Sequence, residues 1–353
     1  MNTYALVSEL PLEIDSYELE GLGVQVSPEF IRKTTVVRLR GGGEEGVGED
    51  VTYSAEDQDA LQEESPTLPL SGSHHTLDSF SELVEHLGLW PSGPSLEQFR
   101  PYRRWAFESA ALDLALRQAG KSLAEALARE PQPVRFVASM RFGDPATIAP
   151  LRAWLDLYPD LRVKLDPTAT WDDALVNELV ATGSVDTLDF KGAYKGTPVD
   201  SPGDPTLYAR VALAFPEAWL EDPDLNEDTD PVLEPHRARI TWDARIHSVA
   251  DIVGLDFPPR TLNFKPSRFG SIRGLFDGYD YCAEHGIAIY GGGQFELGPG
   301  RGQIQYLASL FHPDSPNDVA PAAYNAKPAP GLPTSPLAPA PTEVGFRWAP
   351  LDL

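Results

Sequence analysis

Six ionisable residues between positions 164 and 296 stand at or just past the ends of short apolar runs. Lys164 closes LRVK, Asp189 closes TLD, Glu221 closes AWLE, Asp243 closes ITWD, Lys265 closes LNFK, and Glu296 lies just past IAIYGGGQF. Asp189, Glu221, Asp243 and Lys265 are separated by 32, 22 and 22 residues, each about one strand-plus-helix unit. Such spacing brings the charges to one end of a sheet. Three carboxylates converging on adjacent strands repel strongly unless they are protonated or bound to a cation, and an all-oxygen donor set suits Mg²⁺. Arg141, after VASM, and Lys191 also fall at strand ends, so the same pocket would hold several cations. A local excess of positive charge suits a small anionic substrate.

The elements that would position these residues follow from the patterning. From about residue 134, the runs VRFVASM, LRVKLD, VDTLDF, AWLED, RITWD, TLNFK and IAIYGG read as strands. Stretches such as TIAPLRAWLDLY, WDDALVNELVA, DPTLYARVALAF and RFGSIRGLFDGYDYCAEHG carry helical spacing between most of them. Seven strands, with an eighth expected near Gln294 to Leu297, predict an α/β fold, a modified (β/α) TIM barrel, over residues 131–312. A doubly wound sheet is the alternative, but no GxGxxG follows the first strand. Upstream, SYELEGLGVQV and KTTVVRLR read as antiparallel strands, with GGGEEGVGED as a glycine-rich turn, and SFSELVEHL and FESAALDLALRQAG read as helices. Residues 1–130 are thus expected to form an N-terminal α+β capping domain. His74 and His75, in a stretch rich in Ser and Gly, read as part of a mobile loop.

The chain has 353 residues, 42% hydrophobic and 23% charged, so a folded core is expected rather than disorder. Lys plus Arg total 28 against 53 Asp plus Glu, a net charge of −25, which repels polyanions and argues against nucleic acid as a partner. One cysteine, Cys282, excludes an internal disulfide and a Cys-based zinc cluster. No run is apolar enough to span a bilayer and the N-terminus lacks a secretory pattern, so the expected location is the cytoplasm, without a membrane partner. Ten prolines lie between Pro313 and Pro350; the segment 313–353 is expected to run over the surface and pack back on the capping domain.

The order of these motifs resembles the enolase superfamily, in its muconate-lactonizing and o-succinylbenzoate synthase branch. TTVVRLRGGGEEGVGE is similar to capping-domain strands, ESAALDLALRQAGKSLAEAL to the helix leading into the barrel, and WLEDP to a metal-binding strand. The resemblance implies Asp189, Glu221 and Asp243 as Mg²⁺ ligands, Lys164 and Lys265 as opposed catalytic lysines, and Glu296 as the acidic residue of the last strands. Arg162 stands at the first lysine of the family's Lys-x-Lys, and Lys191 stands where the family usually has Asn. Arg141, Arg162 and Lys191 are then candidates for binding the substrate. The implied activity is Mg²⁺-dependent removal of an α-proton from a carboxylate through an enediolate, leading to β-elimination, cycloisomerisation or racemisation. A non-catalytic metal- and carboxylate-binding protein of the same fold is the alternative, and either leaves room for a homo-oligomer.

Overall fold

The protein is described by a computed structural model covering residues 2–64, 68–195, 197 and 199–349. The first part pairs β1 (Pro11–Ile14) with a strand β5 and builds a meander from β2 (Ser16–Ser27), β3 (Phe30–Gly41) and β4 (Glu44–Asp50). The β2–β3 pairing follows from their β-branched and alternating residues. Only Gly42 and Gly43, both at positive φ, make the turn into β4. The rest of GGGEEGVGED is strand, a correction to the sequence reading, and its glycines have a packing role. A Cβ on Gly46 would lie 2.2 Å from the Ala110 carbonyl, and one on Gly48 would lie 2.0 Å from that of Ala106. Glycine here lets a helix press directly onto the sheet.

Helix α1 (Ala55–Glu64) precedes β5 (Ser73–Thr76), which is followed by α2 (Leu77–His86) and α3 (Arg100–Gln118). Thr76 and Ser79 form a reciprocal cap at the start of α2. The helix that meets Gly46 and Gly48 is α3, whose Ala106, Ala110, Ala111 and Ala115 are fully buried. His74 and His75 sit in β5, paired with Glu13 and Leu12, rather than in the expected loop. After α4 (Leu123–Leu127) the chain enters the barrel.

Barrel strands β6 (Ala138–Met140), β7 (Val163–Leu165), β8 (Val185–Asp189), β9 (Trp219–Glu221) and β10 (Ile240–Thr241) are parallel neighbours in that order. Helices α5 (Ala149–Leu155), α6 (Asp173–Thr182), α7 (Pro205–Ala214) and α8 (Asp230–Leu233) lie between them. Asp172 caps the start of α6 and Gly183, at φ 64°, ends it, as its sequence leads one to expect. Next come α9 (Val249–Val253), β11 (Thr261–Phe264), α10 (Pro266–Phe269), α11 (Ile272–His285), β12 (Ala288–Gly291) and α12 (Pro299–Phe311). Strands β11 and β12 pair in parallel, and the Asn263 amide bonds the Trp242 carbonyl, which joins this pair to β10.

The barrel does not close at residues 294–297, which form no strand. Instead, Asp318 donates its amide to the Gly291 carbonyl and Val137 donates to the Asn317 carbonyl, so residues 317–318 bridge β12 and β6. The closing strand therefore lies within the proline-rich segment. That segment also stacks Tyr324 on Trp154 and pairs Leu337 with Val134, both on the barrel. Only near its end does it reach α3, where the Phe346 amide and Arg347 Nε donate to Asp113.

Candidate active site at the barrel mouth

Register decides which side chains meet. Asp189 and Glu221 end adjacent strands as direct partners. Lys164 on β7 points at both: its ammonium donates to Glu221 Oε1 and lies 3.0 Å from Asp189 Oδ2 and 3.6 Å from Asp318 Oδ2. Lys164 is 1% exposed. Glu221 Oε2 accepts from the Tyr290 hydroxyl, and Asn263 Nδ2 lies 3.3 Å away.

Asp243, two residues beyond β10, makes a second centre. Its Oδ2 lies 2.8 Å from Lys265 Nζ and 3.4 Å from Arg268 Nη2, and accepts from the Tyr194 hydroxyl at 2.7 Å. Its Oδ1 is buried without a hydrogen-bond partner. Asp222 sits between the two centres at φ 47°; its oxygens accept the amides of Asp243 at 2.9 Å and Ala244 at 2.8 Å. It thereby ties the end of β9 to the end of β10.

Among the described residues, Asp189, Glu221 and Asp222 each offer an oxygen within 4.8 Å of the others. Asp243 is not in that group: its charge is turned toward Lys265 and Arg268. Asp222, inside the group, already has both oxygens on backbone amides, whereas Asp243, just outside it, keeps Oδ1 free. Lys191 follows at φ 57°, its ammonium on Asp189 Oδ2 and 3.8 Å from Asp166 Oδ1. Arg141 is exposed just past β6; burial pushes Asp166 up to about 6, and Lys191, Lys164 and Arg141 only partly offset it.

One other expected site residue, Arg162, lies elsewhere. Arg162 precedes β7, where its guanidinium bonds Asp186 and the Gly183 carbonyl at the opposite, N-terminal end of the strands. It does not reach the mouth. Glu296 is buried in the loop after β12, with Oε2 3.0 Å from Arg301 Nη2 and Oε1 accepting the Gln294 amide at 2.5 Å. Sequence reading missed Asp166, Asp222, Tyr194, Arg268, Tyr290, Asn263 and Asp318. Asp222 and Arg268 were in view, in WLEDP and FKPSRFGS, and both lie within three residues of a chosen residue.

The electrostatics follow from burial and crowding. Burial, with Asp189, Asp243 and Asp222 nearby, pushes Glu221 up to about 8 despite Lys164. Asp222 is pushed up to about 6 by burial and by Asp243 and Asp189. Burial would raise Asp189 as well, but Lys164 and Lys191 outweigh it and hold its pKa below the usual carboxylate range. For Lys164, burial favours the neutral amine, yet Asp189, Glu221 and Asp318 reverse that and keep it protonated. Negative charge at Glu221 and Asp222 is therefore incompletely balanced by the protein. Three buried carboxylates with close oxygens, one of them holding its proton up to about 8, fit a hard divalent cation.

A two-domain chain whose capping meander covers a parallel barrel, with acids and lysines at the strand ends, has the fold of the enolase superfamily. Muconate cycloisomerase from Pseudomonas fluorescens superposes with a TM-score of 0.65 at 18% identity, over 96% of this chain and 95% of that one. A dipeptide epimerase from Methylococcus capsulatus, complexed with a Mg ion, gives 0.66 at 18% identity over 87% and 89%. An N-succinylamino acid racemase from Amycolatopsis is 29% identical over 241 residues, 64% of this chain and 63% of the racemase. The chain thus spans about 63% of the length of that curated relative. Residues 5–126 match the N-terminal domain, and residues 130–326 the C-terminal domain, of a family described as a domain of unknown function (DUF8230). The chain belongs to the DUF8230 family. Among the described residues no helix is long and apolar enough to cross a membrane.

Proposed function

We propose that the protein is an enzyme that removes a proton from the carbon α to a carboxylate, with Mg²⁺ held by Asp189, Glu221 and Asp243, whose Oδ1 is unpartnered. Asp222, with its oxygens on the amides of Asp243 and Ala244, braces the strand ends beside them. The observation that carries the reading is the meeting of Lys164, Lys265 and four buried carboxylates at one end of the barrel. When bound, Mg²⁺ would supply the positive charge that makes an α-proton removable, by stabilising the enediolate's oxygens.

The chain's own residues divide the remaining work. Lys164, protonated and locked between Asp189 and Glu221, acts as a fixed cation beside the growing negative charge. Among the described residues Lys265 is tied only to Asp243, and it is the lysine placed to take the proton from Cα and return it. Arg141 and Arg268 add positive charge for an anionic substrate, while burial of the strand ends excludes water. The reading covers β-elimination, cycloisomerisation and racemisation, all of which begin with this proton transfer. The occupant is a small carboxylate, and the racemase relative makes N-succinylamino acids the first compounds to try.

Solvent deuterium exchange tests the proposal. With a panel of N-acylated amino acids and other carboxylates, wild-type protein should wash deuterium into the α-position in a Mg²⁺-dependent way. Glu221→Gln should lower that exchange by about 10²-fold or more while the protein stays folded. Ligand-dependent rises in melting temperature without exchange for any compound would instead favour a carboxylate-binding protein, and would end the enzymatic reading.

A further inference from the structure

Lys191 combines three features that its neighbours do not share. Its backbone is held at φ 57°, a region that a long L side chain rarely occupies, which argues that surrounding structure fixes it there. Its amide and its ammonium both bond one carboxylate, the amide reaching Asp189 Oδ1 at 3.1 Å and the ammonium reaching Oδ2. And a second carboxylate oxygen, Asp166 Oδ1, lies 3.8 Å from the same ammonium, buried and without a hydrogen-bond partner.

These features matter because Asp189 belongs to the close oxygen group. An ammonium seated on Asp189 sits next to the place a divalent cation would take, and like charges a few ångströms apart in a dry pocket repel strongly. The lysine stem has several rotatable bonds, so a shift of about 1 Å at its tip brings the ammonium into hydrogen-bond range of Asp166. That move would free the Asp189 oxygen and give the orphaned Asp166 oxygen a partner.

We propose that Lys191 is a transferable counter-ion, which neutralises Asp189 while the metal site is empty and moves onto Asp166 when a divalent cation enters. Asp166 then sets the metal affinity without touching the metal. The inference rests on the reading that the carboxylates bind Mg²⁺, and it adds that binding is paid for by moving a built-in cation.

The test is calorimetric titration of the metal-free full chain with Mg²⁺, in wild type, Lys191→Asn, Asp166→Asn and the double variant. Asn tolerates positive φ, and Lys191→Gly serves as a second way to remove the ammonium should the first variant fold poorly. Lys191→Asn should tighten Mg²⁺ binding, and Asp166→Asn should weaken it, each by about tenfold or more. Simple long-range electrostatics would give the same two signs, so the double variant decides. If Lys191 moves onto Asp166, removing Asp166 should have little effect once Lys191 is gone. Additive effects overturn the transfer, as does equal affinity of wild type and Lys191→Asn, and either leaves the metal reading intact. Absence of Mg²⁺ binding in all four proteins overturns the metal reading, and the transfer with it.

Discussion

Buried charge is handled in opposite ways in the capping domain and at the barrel mouth. Arg32 on β3 is fully buried, and its guanidinium donates to the carbonyls of Lys33, Val51, Thr52, Gln294 and Phe295. Arg103 on α3 pairs with Asp50 at 2.8 Å and also bonds the Leu89 and Asp57 carbonyls. Glu49 accepts the amides of Leu297, Gly298 and Gly300, which fastens the capping sheet to the start of α12. In each case backbone groups supply most of the partners. At the mouth, Lys164, Lys191, Lys265, Asp189, Glu221 and Asp243 are held mainly by one another, and Asp166 Oδ1, Asp243 Oδ1 and Arg268 Nε lack hydrogen-bond partners. A charge bonded to backbone cannot be released without opening the fold, whereas one bonded to side chains can be handed to a ligand. The capping-domain ions read as scaffold and those at the mouth as exchangeable.

The sharpest way to break this contrast is at Lys265. Lys265→Met should cut α-proton exchange by about 10²–10⁴-fold, the usual cost of losing a positioned acid or base. Its melting temperature should fall less than in a variant that strands its partner, because Asp243 keeps Arg268 and the Tyr194 hydroxyl. Lys164→Met should also lower turnover, but should leave measurable exchange, because the Lys164 ammonium stays protonated and acts as a fixed charge. Equal and complete loss of exchange in both variants, measured with a verified substrate, would mean that both lysines carry protons.

The scaffold side of the comparison predicts the reverse pattern. Arg103→Met strands Asp50 in the core with Thr52 as its remaining donor. Removing one partner of a buried ion pair costs about 3–5 kcal/mol, read by denaturant unfolding. Mg²⁺ affinity of the folded variant should be unchanged. A stable Arg103→Met protein would show that the capping-domain ions are as dispensable as surface ones.

Sequence patterning reaches some of these residues and not others for physical reasons. Asp189, Glu221, Asp243 and Lys265 were legible because a barrel repeats one strand and one helix, which places strand-end residues at regular intervals. Asp222 was hidden because spacing cannot tell which of two adjacent acids faces a neighbouring carboxylate and which caps two amides. The eighth strand was misplaced because closure at Asn317–Asp318 takes only isolated bridges in a proline-rich run, with no periodicity to read. His74 and His75 were assigned to a loop by their Ser and Gly neighbours, yet the partner that makes them a strand, β1, lies about 60 residues earlier, beyond the reach of any local pattern.

Arg162 supplies the smallest expected effect and a control on the whole comparison. It was grouped with Lys164 because Arg162-Val163-Lys164 resembles the family's Lys-x-Lys. The strand, however, begins at Val163, and parallel register sets Val163 opposite Val185, so Arg162 lies below the first rung while Lys164 faces the carboxylates above. Its guanidinium is 37% exposed and paired with Asp186. A pair this open to solvent contributes about 0–1 kcal/mol. Arg162→Ala should therefore leave exchange, KM and Mg²⁺ affinity at wild-type values and lower stability by no more than that amount. A rise in KM with unchanged stability would mean that the substrate, or a chain segment that moves on binding, reaches the far end of the barrel, and the division between mouth and scaffold would have to be redrawn there.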